Sequence, residues 1–435
     1  MSVGRLPRRL TRAYWTCHFL RWLPLGLVLP VMALLPADRG LSVAEIGVVF
    51  GVYAAVAAVL ELPTGNLADV LGRKPVLIAA ALFEAVWYGG YLIADSVVLF
   101  AVALALGGVG RALASGALEA WYVDQVYATS PGADVRPGLG GAMFLTNMAV
   151  FTGAVAAAGT PLLGVDLSWV DSVSVLPVAA ALLCGTGYLV AVAALVTESR
   201  PHAGVRGALR ELRRQPRVMR DVMRAAAGAG RIRLLLIAGA AVGLGMGSVE
   251  AFWQPQFASV LDDPQRATSV FGLLVGASTL VGGVASIVAA GLPARVTRRP
   301  DLICAGLVAS LGASIVLLAV APTFAIAAAA FLVVYFFLEL RAPLAQAMLH
   351  QAAPTGLRAS VLSAYAMSTS NAAAVAAVGL GALAATWGVE AIWTIAGALV
   401  IAGASTYLRL PRFPLPRPAT KPDAAVMPQT PAARS

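Results

Sequence analysis

Twelve stretches of predominantly apolar residues, each about twenty residues or longer, occupy most of this chain. A helix of roughly 20 residues crosses about 30 Å of hydrocarbon. In lipid, every backbone N–H and C=O must find its partner inside the protein, so stretches of this length fold as helices. The pattern predicts spans at 14–36, 44–66, 74–94, 97–126, 138–164, 173–196, 232–257, 268–290, 301–320, 322–348, 357–384 and 386–408. Composition agrees, with 59% of the 435 residues hydrophobic and 12% charged, and a mean hydropathy of +0.82. These values exclude a set of ordinary soluble domains.

The net charge of +10 raises the question of a nucleic-acid partner, and the positions of the basic residues answer it. With both termini on the cytoplasmic side, the cytoplasmic segments hold 26 of the 31 Lys and Arg residues. Only Arg39 and Arg266 fall in opposite loops, while Arg21, Arg111 and Arg341 lie within spans. This is the positive-inside pattern. The charge therefore reports orientation in a cell membrane, and no nucleic-acid interface is expected. Arg5, Arg8, Arg9 and Arg12 precede an apolar run that resembles a secretory signal, but the run is too long and lacks a small-residue cleavage site. It reads as a retained first span. Cys17, Cys184 and Cys304 lie far apart, without metal-ligand spacing, and read as packing residues. No metal, cofactor or enzymatic constellation is expected.

Between the second and third spans lies Gly65-Asn66-Leu67-Ala68-Asp69-Val70-Leu71-Gly72-Arg73-Lys74. Two glycines permit a tight turn, the carboxylate suits a helix N-terminus, and the basic pair sits at the membrane face. An ordinary turn with a few charges does not require this ordered spacing. The run resembles the signature loop of the major facilitator superfamily of membrane transporters. An offset of 226 pairs Gly65 with Gly291, Ala68 with Ala294, Val70 with Val296 and Arg73 with Arg299, while Arg295 stands opposite Asp69. The second loop is thus a worn copy of the first, as expected of parallel repeats. The resemblance implies an all-α integral membrane fold of twelve transmembrane helices in two six-helix bundles. The expected organisation is an N-terminal bundle over 1–198, a basic cytoplasmic linker over 199–231, a C-terminal bundle over 232–409 and a disordered tail over 410–435. The linker reads either as short amphipathic helices on the inner membrane face or as a solvated basic connection.

By the same resemblance, Gly65, Asp69, Gly72, Arg73 and Lys74 belong to an inner gate. Arg111 resembles the superfamily's span-four arginine associated with proton coupling. At about 100° per residue, Ser115, Glu119 and Tyr122 share its face, with Arg111 and Glu119 about 12 Å apart along the axis. This polar stripe faces the central cavity or pairs with neighbouring spans. Asp124, near the inner end of span four, serves a gate or merely solvates a helix end. Charges inside a span are costly enough to be functional candidates, which brings in Glu84, Glu250, Glu339 and Arg341. The run Glu250-Ala251-Phe252-Trp253-Gln254-Pro255-Gln256-Phe257 gathers a carboxyl, two amides and three aromatic rings. It suits an amphipathic or cationic ligand and a proton carrier, or else an aromatic girdle at the interface. Glu339 and Arg341, two residues apart, face different ways and need partners on other helices. Arg21 serves the cavity or snorkels to the inner face.

Span five ends in Gly153-Ala154-Val155-Ala156-Ala157-Ala158-Gly159-Thr160-Pro161-Leu162-Leu163-Gly164, which resembles a relaxed form of the Gly-x-x-x-Gly-Pro-x-x-Gly motif of the superfamily's exporters and antiporters. Its glycines also serve plain helix packing. The resemblance implies a monomeric secondary transporter that works by alternating access on a small-molecule substrate and on protons, within the lipid bilayer. The expected reading is proton-coupled efflux of amphipathic molecules. Uptake of a sugar or organic acid is the alternative, set back by the scarcity of Asn and Gln in the spans. A non-transporting sensor is a remote third reading, because the chain carries no sizeable soluble output segment. No phosphate-binding glycine loop is present, so the energy source is an ion gradient.

Overall fold

Helices form wherever the apolar stretches predict them, and the departures fall at proline and glycine. The computed structural model describes residues 7–65, 67–130, 133–163, 174–197, 220, 224, 230–261, 263–293, 299–353 and 358–410. Span one is Arg8–Val28, followed by a 3-10 turn at Leu29–Val31 and a short helix at Leu34–Asp38. Span two is Val43–Gly65, joined through the short helix Leu67–Leu71 to span three, Arg73–Ile93. Span four comes in two pieces, Val97–Ala114 and Ala117–Thr129. Span five is Arg136–Gly159, ending in a 3-10 turn at Thr160–Leu163, and span six is Val175–Leu195. Spans seven to ten are Gly230–Leu261, Pro264–Ala290, Pro300–Ala319 and Phe324–Ala352. Span eleven runs as Arg358–Val375, a π-helical turn at Ala376–Leu380 and Gly381–Trp387, and span twelve is Val389–Leu408. Most of the expected linker, residues 294–298 of the second loop, and the tail beyond residue 410 lie outside the described residues.

Among the described residues, eleven helices are long and apolar enough to cross a membrane. Span one is the exception to the expected twelve, because Arg8, Arg9, Arg12 and Arg21 dilute its apolar character. It also starts at Arg8 rather than residue 14, and its helix breaks well before residue 36. Pro30 and Pro36 supply no N–H, which disrupts the ladder at this end. It nevertheless packs as the other spans do. A Cβ at Gly26 would stand 2.4 Å from the Val150 carbonyl oxygen, and one at Gly153 would stand 2.5 Å from that of Leu23. Spans one and five therefore meet backbone against backbone, the close approach that small residues permit in membranes. Gly312 and Gly397 bring spans nine and twelve together in the same way, with 2.6 Å between a Cβ at Gly312 and the Gly397 carbonyl oxygen.

The loop at residues 65–72 marks one face of the molecule, here the motif face, and the opposite end is the far face. The two bundles touch through spans two and eleven and through spans five and eight. A Cβ at Gly47 would lie 2.5 Å from the Ala377 carbonyl oxygen, and one at Gly272 would lie 2.4 Å from that of Ala154. Ser269 Oγ donates to the Ala158 carbonyl across the same seam at 2.9 Å. All of these contacts fall in the far-face halves of their helices, so the bundles are closed together at that end.

Candidate functional site

Below the far-face seam, a cavity of about 680 Å³ lies between the bundles and reaches Ser286, one turn from the motif-face end of span eight. Its walls are mostly apolar, with a few polar side chains set among them, as expected of a ligand site. From the N-terminal bundle, Arg111 faces the cavity beside Tyr53. Its Nη1 donates to Tyr53 Oη at 3.4 Å, and the guanidinium stands 5.8 Å from the tyrosine ring centre. From the C-terminal bundle come two carboxylates. Glu250 in span seven accepts a short hydrogen bond from Tyr335 Oη in span ten. Glu339 lies one helical turn beyond Tyr335 and fits against Gly282, where a Cβ would stand 2.9 Å from Glu339 Cγ.

Trp253 closes the far end of this wall in an aromatic cluster. Its ring lies 4.7 Å from Phe331, 4.9 Å from Phe271 and 5.9 Å from Phe257, within the range of favourable ring pairs. Gln254, beside it, turns to span one. Its Nε2 donates to the Leu29 carbonyl, and its Oε1 accepts the Ala33 N–H at 2.6 Å.

At the motif face, Gly72 adopts φ 98°, a conformation open to glycine at little cost, which turns the chain into span three. Arg73, the next residue, places Nη2 2.8 Å from Asp124 Oδ2 in the second piece of span four. Lys74 Nζ donates to the Ala193 carbonyl of span six at 2.7 Å. The side chain of Asp69 and that of Gly65's neighbour Asn66 lie outside the described residues.

A family model described as the Major Facilitator Superfamily matches residues 14–271, more than half of the chain. The chain belongs to the Major Facilitator Superfamily. Like other members it is a multi-pass membrane protein. Two curated relatives share segments with this superfamily member. It is 38% identical over 116 residues to the inner membrane transport protein YajR of Escherichia coli strain K12, covering 26% of this chain and 24% of that one. It is 30% identical over 84 residues to the MFS-type transporter MJ1560 of Methanocaldococcus jannaschii, covering 19% of this chain and 22% of that one. The chain thus matches about a quarter of the length of these relatives. Among solved structures, the nucleoside transporter NupG superposes with a TM-score of 0.72 at 11% identity, covering 92% of this chain and 98% of that one. An auto-inhibited POT family peptide transporter superposes with a TM-score of 0.71 at 13% identity, covering 95% and 99%. At such identities the likeness is one of fold.

Within this superfamily fold, several sequence expectations change. Span four is not continuous: Gly116 at φ 68° ends one helix and starts another, so the expected stripe from Arg111 through Ser115, Glu119 and Tyr122 does not form. Arg111 lines the cavity, Glu119 lies outside its lining, and Tyr122 is fully buried, its hydroxyl 3.1 Å from Thr11 Oγ1. Asp124 is paired with Arg73 rather than solvated at a helix end. Arg21 does not snorkel: its Nη2 lies 3.1 Å from Glu84 Oε1, and both side chains are nearly buried inside the N-terminal bundle. Gly110 makes room for Glu84, since a Cβ there would meet Glu84 Cγ at 2.8 Å. Glu250 faces the central cavity rather than an interfacial girdle. Gln254 is held by backbone and is not a free cavity amide. Glu339 and Arg341 do diverge: Arg341 is buried and donates to Tyr365 Oη at 3.1 Å, away from the cavity lining. The sequence reading missed Tyr53 and Tyr335. For Tyr335, the signal was its place four residues before Glu339, on the same helical face.

Proposed function

We propose that this chain is a secondary transporter that works by alternating access and exports amphipathic, cationic small molecules in exchange for protons. The observation that carries the reading is the cavity wall of the C-terminal bundle, where Glu250 is bonded to Tyr335 and Glu339 follows Tyr335 by one helical turn, next to the Trp253 ring cluster. Carboxylates attract a cation, and apolar and aromatic walls shed water from its organic body. A carboxylate that binds either a proton or a cation, but not both, is the minimum device for exchange. Closure at the far-face seam with a cavity reaching toward the motif face supports a state open to the motif face, which the positive-inside pattern puts in the cytoplasm. A cytoplasm-facing site with cation-binding walls suits loading for export. The gate reading of Gly65, Asp69, Gly72, Arg73 and Lys74 gains support from the Arg73–Asp124 ion pair.

The test is flux in proteoliposomes under an imposed pH gradient, with a lipophilic fluorescent cation, a neutral dye and a labelled sugar run side by side. Accumulation of the cation coupled to proton movement in the opposite direction is expected. Sugar movement along with protons, and no cation flux, would replace export by nutrient uptake.

A further inference from the structure

Gln254 is 3% exposed, sits in span seven of the C-terminal bundle, and makes both of its hydrogen bonds to backbone of the other bundle. Its partners are the Leu29 carbonyl and the Ala33 N–H. These two groups are four residues apart, the spacing at which an uninterrupted α-helix joins them to each other. Here span one leaves the α-helix after Val28, passes through the 3-10 turn at Leu29–Val31, and separates the pair. Within span one, the backbone N–H of Met32 approaches the Leu29 oxygen at 3.5 Å. A primary amide carries an acceptor and a donor on one carbon, so the side chain of Gln254 completes both halves of the hydrogen bond that span one has opened.

We propose that Gln254 is a latch on the far face, which span one borrows to complete its ladder in the closed state. When the bundles part at that end the amide withdraws, and the Leu29 carbonyl and Ala33 N–H bond to each other, closing the one ladder step that Gln254 had bridged, although Pro30 still interrupts the ladder beside it. The exchange is what keeps opening accessible, since a buried backbone group left without a partner bears its full desolvation cost. Gln254 also lines the cavity one helical turn from Glu250. A ligand seated at that turn therefore touches the same segment that holds the latch. The proposal rests on alternating access but not on the identity of the substrate or on protons.

The experiment is distance measurement by electron–electron resonance between spin labels on the far face. Labels at Leu162→Cys, 86% exposed, and Val260→Cys, 57% exposed, are placed in a chain whose Cys17, Cys184 and Cys304 are replaced by Ala. With Gln254 intact, the short distance is expected to dominate. Gln254→Ala removes both bonds and is expected to lower the closed-to-open ratio about tenfold or more, since tenfold corresponds to about 1.4 kcal/mol. Gln254→Glu keeps the size of the side chain but loses the donor to Leu29, and it is expected to widen the distribution too, which decides the matter if the alanine variant does not accumulate. Hydrogen exchange at the Ala33 amide is expected to stay slow in the opened variants, because Leu29 takes over as its partner. Distance distributions unchanged from the parent in both variants would overturn the latch. Failure of cation flux with these distance shifts intact would retire the export reading alone.

Discussion

Two of the three cavity charges are held by a tyrosine of their own bundle, Arg111 by Tyr53 and Glu250 by Tyr335. The hydroxyl fixes where the charge sits and leaves the opposite side of the group to the cavity. Glu250→Gln keeps the shape and the tyrosine contact but cannot exchange a proton, so flux of the test cation is expected to lose its dependence on an imposed pH gradient. Unchanged pH dependence in that variant would move coupling to Glu339. Asp124→Asn removes the charge opposite Arg73, and transport is expected to fall severalfold while yield and membrane insertion stay at parent levels. Wild-type flux there would end the gate role of this pair. Glu84 is different in kind, since it neutralises a nearly buried Arg21. Glu84→Gln strands that guanidinium, for which breaking a buried pair gives a loss of about 3–5 kcal/mol, and a much lower midpoint of thermal unfolding in detergent is the expected result.

At the scale of the helices, the spans were legible because hydrophobic length is a property of local sequence. The signature loop was legible because its residues are contiguous. Which helix lies beside which was not, and this is where the partner of Glu84 was hidden: Arg21 is 63 residues away in sequence. The break at Gly116 was also hidden, because helical periodicity projected from Arg111 assumes the regular backbone whose failure was at issue. Span one looked like a plain helix for a similar reason, as its missing hydrogen bond is made good by a residue of span seven, 221 positions on. Helix packing gives a direct test. A side chain at Gly153 would run into the Leu23 carbonyl and the Leu27 nitrogen, at 2.5 and 2.7 Å. Gly153→Val is expected to cost about 1–3 kcal/mol through overpacking, read as a lower unfolding midpoint, whereas Gly159→Val, with open space around the added Cβ, is expected to leave it nearly unchanged. Equal midpoints for the two variants would show that the glycines of the span-five motif do not serve packing on span one.

For the molecule as a whole, the far-face seam comes closest at glycines, where Gly47 and Gly272 face backbone of the other bundle, so its width there is set by the absence of side chains. Gly272→Val puts bulk against the Ala154 carbonyl and Ala158, and it is expected to hold the bundles apart there. A cysteine at Ser269, on the same seam, is then expected to react faster with a membrane-impermeant maleimide than it does with Gly272 in place. Equal rates would mean that the seam does not close the cavity. Span four completes the picture. Arg111, facing the cavity, and Asp124, gripped by the signature loop, lie on opposite sides of the Gly116 bend. They stand on two separate helical pieces with Gly116 at φ 68° between them, so no unbroken helix ties the contact at the signature loop to the charge in the cavity. On the proposed reading, a change at the membrane face need not be passed along a rigid axis to the proposed binding chamber.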